Sequence, residues 1–350
     1  MKGKNIIIIQ WESLENFVIG KTVNGQEITP NLNRVLKNSY YFDNFYEQTW
    51  NASTSDAELI TNTSSLPTRE GGAAFNFGEN LYKCSFPNIF KNLGYNTLAA
   101  HADKASFWNW KDALQSVGYD KLIDESELNI DEKINLGLSD KSYLNQLTDI
   151  LKKEDSPFLA YSVTLTSHTP FILPESDKSL KLTYNLENTK MGGYLQCINY
   201  TDKYIGEVLR KLDEKGILKN TLVVIYGDHE GIHKYYRNEV KRINGIESWM
   251  KNNDKKVPLI LYNQSIKGEV KHVIGGQVDI LPTVTYLFGV NLENEWDKTI
   301  GRNLLNTKKN FSVLPSGQFI GTESYPGEKE QMLRSIDICD KLIRANYYKD

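Results

Sequence analysis

Short apolar strands alternating with amphipathic helices predict an α/β domain, with a mostly parallel central sheet covered by helices on both faces. Three observations carry this. β-Branched runs of strand length recur along the chain, and most are separated by helical periodicity. Polar residues able to bind metal or move protons follow several of these runs directly. Hydrophobic residues make up 40% of the 350 positions, enough for a sizeable core.

The elements read in order as follows. Asn5 to Gln10 is a buried strand, and Thr29-Pro30 opens a helix to about Lys37, with Leu32 and Leu36 four apart. Tyr40 to Phe45 reads as extended. A short helix from Pro87 to Leu93, closed by Gly94, leads into the strand Asn96 to His101. Pro157 to Thr164 is the next strand. Leu195, Ile198, Ile205, Leu209 and Leu212 mark an amphipathic helix that stops at Gly216. Strands from Leu222 to Tyr226 and Val257 to Tyr262 follow, then a helix from Asp279 to Leu287. From about Asn291 the pattern loosens. The expected organisation is a catalytic α/β domain over residues 1–290 and a small subdomain over 291–350, with its own short sheet around Phe311 to Phe319.

Bulk properties exclude several classes. A net charge of -3 gives no support for a nucleic-acid partner. No apolar run approaches the roughly 20 residues of a membrane-spanning helix. The run after Met1-Lys-Gly-Lys is too short for a signal peptide, and Glu12 and Glu15 follow at once. The N-terminus therefore reads as a strand of the fold, with any membrane anchor expected outside this sequence. Cys84, Cys197 and Cys339 show no C-x-x-C spacing and read as buried thiols.

His229-Glu230-Gly231-Ile232-His233 matches H-E-x-x-H, a zinc-protease pattern that requires both histidines on one helix. Here it follows a strand that Gly227 ends, and Gly231 falls inside the supposed helix. The stretch reads instead as a loop at the carboxyl end of a strand, where open α/β sheets collect ligands. His229 then pairs with Asp228, while His233 points elsewhere and lines the cleft. Glu12 after the first strand, His101 and Asp103 after the third, and His168 after the fourth come to the same sheet edge. Glu12, Asp228 and His229 give a mixed oxygen and nitrogen site suited to Zn²⁺ or Mn²⁺. Ser55-x-x-Glu58 reads as a capping box that starts a helix at Ser55, with Thr54 at its N-terminal end. A threonine hydroxyl on a metal there can ionise and attack phosphorus or sulfur. Each residue also has a plain structural reading: a cap, a turn or a buried histidine.

Trp11-Glu12-Ser13-Leu14-Glu15, Thr54-Ser55-Asp56-Ala57-Glu58, Phe107-Trp108-Asn109, Ser167-His168-Thr169-Pro170-Phe171, Tyr226-Gly227-Asp228-His229 and Val278-Asp279-Ile280-Leu281-Pro282-Thr283 run in order across nearly the whole chain. Together they resemble the extracellular catalytic domain of lipoteichoic acid synthases, phosphoglycerol transferases of the sulfatase/alkaline-phosphatase superfamily. The resemblance implies an alkaline phosphatase/sulfatase-like α/β/α sandwich. It implies Glu12, Thr54, Asp228 and His229 as ligands of Mn²⁺, with Mg²⁺ and Zn²⁺ as alternatives, and Thr54 as nucleophile. His101, Trp108 and His168 would surround glycerol phosphate, with Asp103 beside them. Two residues after the tryptophan that family carries an arginine; this chain has Trp110, then Lys111. Tryptophan cannot make a bidentate phosphate contact, so Lys111 is the expected substitute, as a point charge.

The function these residues imply is transfer of a phosphoglycerol-type group from a phosphatidylglycerol-like lipid to an acceptor hydroxyl through a phospho-threonine intermediate. His168 protonates the leaving diacylglycerol, and His101 assists at the phosphate. The setting implied is the extracellular face of a bacterial membrane, reached through segments outside this chain. The alternative within the superfamily is hydrolysis of a phosphate or sulfate ester. The C/S-x-P-x-R context that sulfatases use to make formylglycine does not surround Thr54. A non-catalytic binding module and the zinc protease are the remaining readings.

Overall fold

The structure, a computed structural model, describes residues 1–290, 292 and 299–349. Its centre is an eight-stranded sheet. The strands are β1 (Asn5–Trp11), β2 (Ser39–Phe42), β3 (Asn96–His101), β4 (Lys121–Ile123), β5 (Phe158–Val163), β6 (Thr221–Gly227), β7 (Leu259–Tyr262) and β8 (Glu269–Lys271). They lie in the order β8-β2-β7-β6-β1-β5-β3-β4. Around them run helices α1 (Pro30–Val35), α2 (Ser53–Thr63), α3 (Phe86–Lys91), α4 (Trp110–Val117), α5 (Asp140–Leu151), α6 (Lys190–Glu214), α7 (Ile232–Arg242), α8 (Ile280–Leu287) and α9 (Glu328–Arg344).

Every residue of β1 is buried, as a strand covered on both faces requires. Alternate side chains serve the two faces. Ile7 and Ile9 pack with Tyr143 of α5 and with Leu195, Ile198 and Ile205 of α6. Ile6 and Ile8 pack with Ala57 of α2, Leu114 of α4 and Ile280 of α8. This is the predicted sandwich, and β1 lies between β5 and β6, parallel to both.

The departures have local causes. β7 begins at Leu259 because Pro258 has no N–H for the ladder, and it runs antiparallel to β6 and β2. The helix opened by Pro30 stays α-helical only to Val35, then tightens into a 3₁₀ turn over Leu36–Asn38 that feeds β2. In the tail, β9 (Asn310–Leu314) and β10 (Gln318–Thr322) form an antiparallel hairpin. It joins α9, which the sequence did not signal, and Phe311, Val313, Ile336 and Cys339 close over Ile60, Leu66 and Val278. The expected boundary at Asn291 lies outside the described residues. All three cysteines are buried thiols. Among the described residues no helix is long and apolar enough to cross a membrane.

Candidate metal and nucleophile site

β1 and β6 are in register to their last residues, Trp11 opposite Gly227. The next residues of each strand therefore emerge side by side. Glu12, Asp228 and His229 each place a ligand atom within 4.8 Å of the others, and all three are buried. Burial pushes the Asp228 carboxyl up to about 6 and raises that of Glu12, to which the Asp228 charge adds. Burial pulls the His229 imidazole down to about 4.

The hydrogen bonds leave an opening for a cation. Asp228 Oδ1 accepts the backbone N–H of Ser13 at 2.7 Å and of His229 at 2.8 Å. Its Oδ2 is buried without a hydrogen-bond partner. His229 Nδ1 donates to the Glu230 carbonyl at 2.7 Å, so the Nε2 lone pair faces Glu12 Oε1 at 3.4 Å and Asp228 Oδ2 at 3.6 Å. Two carboxylates, one of them with an orphaned oxygen, and one oriented imidazole fit a divalent cation.

Thr54 joins this cluster from α2. That helix begins at Ser53, two residues before the expected start, and the capping box does not form. Glu58 instead accepts the Trp110 indole N–H at 3.0 Å. Asp56 turns backward, and its Oδ2 accepts the N–H groups of Trp50 and Ala52 at 2.9 and 3.0 Å. Thr54 thus sits in the first turn, its carbonyl held by Gln10 Nε2 at 3.0 Å. Its hydroxyl donates to Glu12 Oε2 at 2.9 Å and lies 3.3 Å from His229 Nε2.

The other expected residues divide by environment. His101 ends β3 and is pulled down to about 4 by burial. Its Nδ1 accepts the Asp103 N–H at 3.1 Å, so Nε2 carries the ring proton. Asp103 is buried, and its Oδ1 accepts the Lys104 N–H at 2.8 Å. His168 is oriented the opposite way: Nδ1 donates to the Thr169 carbonyl at 2.6 Å, which leaves Nε2 as the nitrogen that can exchange a proton. It lies near enough to act electrostatically on both Glu12 and His229. Trp108 is 45% exposed, set edge-on to Phe75 at 6.4 Å, and is not a core residue. The core residue is Trp110, 5.6 Å ring to ring from His101. Lys111 is exposed on the first turn of α4.

His233 does not line the cleft. The H-E-x-x-H stretch straddles a loop and the start of α7, so its histidines do not share a helix face. His233 is buried, with Nδ1 2.6 Å from Glu15 Oε2 and Nε2 2.9 Å from the Met250 carbonyl. Both nitrogens donate, which leaves no lone pair for a metal. Glu230 is buried beside Glu47, which accepts its backbone N–H.

Two residues at the site escaped the sequence reading. Lys234 Nζ lies 2.5 Å from Ser53 Oγ. The Tyr235 ring stands edge-on to His229 at 6.5 Å, and burial, then the charges of Glu12 and Asp228, push its phenol up to about 12. Their one sequence signal is position, on the first turn of the helix that follows the Asp228-His229 loop.

The sequence model of the sulfatase family matches residues 4–290. Lipoteichoic acid synthase 1 of Bacillus subtilis is 38% identical over 298 residues, which cover 83% of this chain and 46% of that protein. Lipoteichoic acid synthase-like YvgJ of the same organism is 30% identical, over 97% of this chain and 57% of that protein. The crystal structure of the lipoteichoic acid synthase LtaP from Listeria monocytogenes superposes with a TM-score of 0.86 at 26% identity, covering 100% of this chain and 93% of that one. The chain spans about half the length of the curated relatives it matches.

Proposed function

Because the chain belongs to the sulfatase family, we propose that it is a phosphoglycerol transferase. In this reading it moves a phosphoglycerol group from a phosphatidylglycerol-like lipid to an acceptor hydroxyl through a covalent phospho-Thr54. The observation that carries this is the Thr54 hydroxyl held 2.9 Å from Glu12 within the Glu12, Asp228 and His229 donor set. The names of the relatives and the likeness to LtaP support it. We place residues 1–290 in the catalytic domain and 291–350 in a subdomain packed on it. The working place is the outer face of a bacterial membrane.

Glu12, Thr54, Asp228 and His229 would hold Mn²⁺, which when bound favours the threonine alkoxide and neutralises developing phosphoryl charge. The hydroxyl proton of Thr54 departs along its hydrogen bond to Glu12 Oε2. Thr54 Oγ1 bonds to phosphorus as the bond to the diacylglycerol oxygen breaks. His168, protonated on Nε2, gives that proton to the leaving oxygen. The neutral ring then takes the proton of the acceptor hydroxyl, whose oxygen displaces Thr54, and the released Thr54 oxygen regains its proton from Glu12. His101 stays neutral through the cycle and donates its Nε2–H to a phosphoryl oxygen, as its lowered basicity favours. In this reading Trp108 offers its exposed ring to the glycerol, and Asp103 and Lys111 supply polar contacts to the substrate.

Incubation of the protein with Mn²⁺ and phosphatidylglycerol carrying a fluorescent acyl chain tests the reading. Fluorescent diacylglycerol is the expected product, with glycerol phosphate on an added glycolipid acceptor. Glycerol phosphate released only to water would make the protein a hydrolase. No diacylglycerol at all would end the lipid-donor reading.

A further inference from the structure

Thr54 is bracketed by side chains of two separate elements. On one side stands His229, 3.3 Å from its hydroxyl. Next to it in the chain, Ser53 adopts a left-handed backbone, φ +43°, which is uncommon for a residue with a side chain. From there its hydroxyl meets the Lys234 ammonium at 2.5 Å. Lys234 Nζ also stands 5.7 Å from the centroid of Tyr235, whose ring lies edge-on to His229. The lysine is exposed, and among the described residues no carboxylate is ion-paired with it. Yet it acts electrostatically on Asp228, His229, Asp56 and Glu47.

A phosphodiester that approaches Thr54 brings a negative charge into a neighbourhood of buried carboxylates, and needs a cation beyond the metal. Trp110 cannot supply one, and its indole N–H is committed to Glu58. An ammonium is a compact point charge with three donors, and Ser53 takes only one of them.

We infer that Lys234 is a substrate-binding residue: held on Ser53 beside the nucleophile, it takes a non-bridging oxygen of the phosphoryl group that Thr54 receives. This rests on the transferase reading and adds to it a residue that selects for anionic phosphoryl groups. The same chemistry would hold the phosphate of a lipid headgroup or of soluble glycerol phosphate.

The test compares wild type, Lys234→Gln and Lys234→Arg, each loaded with Mn²⁺ and checked for metal content. KM is measured on fluorescent phosphatidylglycerol in mixed micelles, and the binding of inorganic phosphate and sn-glycerol 1-phosphate by calorimetry. Loss of a charge-assisted hydrogen bond predicts that Lys234→Gln raises KM and both dissociation constants about tenfold or more. Metal content should be unchanged, and Lys234→Arg should recover most of the loss. Weakened lipid turnover with normal binding of both soluble phosphates would assign Lys234 to the micelle surface and overturn the inference. So would wild-type values throughout in Lys234→Gln. If the transferase reading itself were wrong, wild type would release no diacylglycerol, while phosphate binding would still judge Lys234 by itself.

Discussion

His233 and Glu15 form a buried ion pair, Nδ1 to Oε2 at 2.6 Å, while the other ring nitrogen donates to the Met250 carbonyl at 2.9 Å. The second histidine of H-E-x-x-H is thus committed to the core beneath the loop, and Phe17 packs edge-on against it at 5.0 Å. The first histidine is separately aimed, with its Nε2 lone pair toward Glu12 and Asp228. One sequence pattern contains two histidines with unrelated tasks.

Metal content separates those tasks. His229→Ala should bind far less Mn²⁺ than wild type by inductively coupled plasma mass spectrometry, since it removes the only nitrogen of the set. His233→Ala should keep most of the metal, though less stable, because Glu15 loses its partner. Glu230→Gln should remain active. Equal metal loss in both histidine variants would restore the protease pattern.

The same pair makes stability depend on pH. Burial alone would lower the His233 pKa, but the Glu15 hydrogen bond and charge, with the Met250 carbonyl, outweigh it and raise it above 6.5. A group raised in the folded state stabilises fully below its unfolded value and loses that contribution as pH rises through the folded one. Wild type should therefore exceed His233→Gln in stability most at about pH 6 and below. The difference should narrow as the pH climbs through the raised folded-state value. Urea denaturation of both proteins across pH measures it; a gap that widened with pH would contradict the charged pair.

Trp110 is a structural residue with one polar duty. It is 4% exposed and satisfies Glu58, whose carboxyl burial pushes up to about 8. Trp110→Phe should cost about 1–3 kcal/mol, the penalty for a buried acceptor left without its donor. Trp110→Arg should place its guanidinium against Glu58, ionise it and be held there. No gain in glycerol phosphate binding is then expected, even though an arginine is restored by sequence. Calorimetry on the arginine variant checks this, and tighter binding would show that the guanidinium reaches the substrate.

The sheet and its ligand edge were legible because they rest on patterns that neighbours in sequence carry. β1 and β6 are built on the apolar runs Ile6–Ile9 and Leu222–Tyr226, and Glu12, Asp228 and His229 directly follow the strands, so parallel pairing alone brings the three together. Where a choice depended on distant partners, sequence was silent or misleading. Ser55 and Glu58 have capping-box spacing, yet Trp110 takes Glu58 and Asp56 organises the turn. Lys234 reads as one exposed lysine among many until the left-handed Ser53 is seen beside it. The amphipathic face of α9 is spread over a helix nearly half of whose residues are charged, and its partners lie on a hairpin and on α2.

The central claim is that Thr54 carries the transferred group, and peptide mapping by mass spectrometry addresses it directly. Wild-type protein is loaded with Mn²⁺, mixed with phosphatidylglycerol without acceptor, quenched in acid and digested. The account predicts a glycerol phosphate adduct on the peptide that contains Thr54. The adduct should be absent in Thr54→Ala, which should retain wild-type unfolding behaviour yet release no diacylglycerol. Diacylglycerol release by metal-loaded Thr54→Ala at the wild-type rate would contradict it.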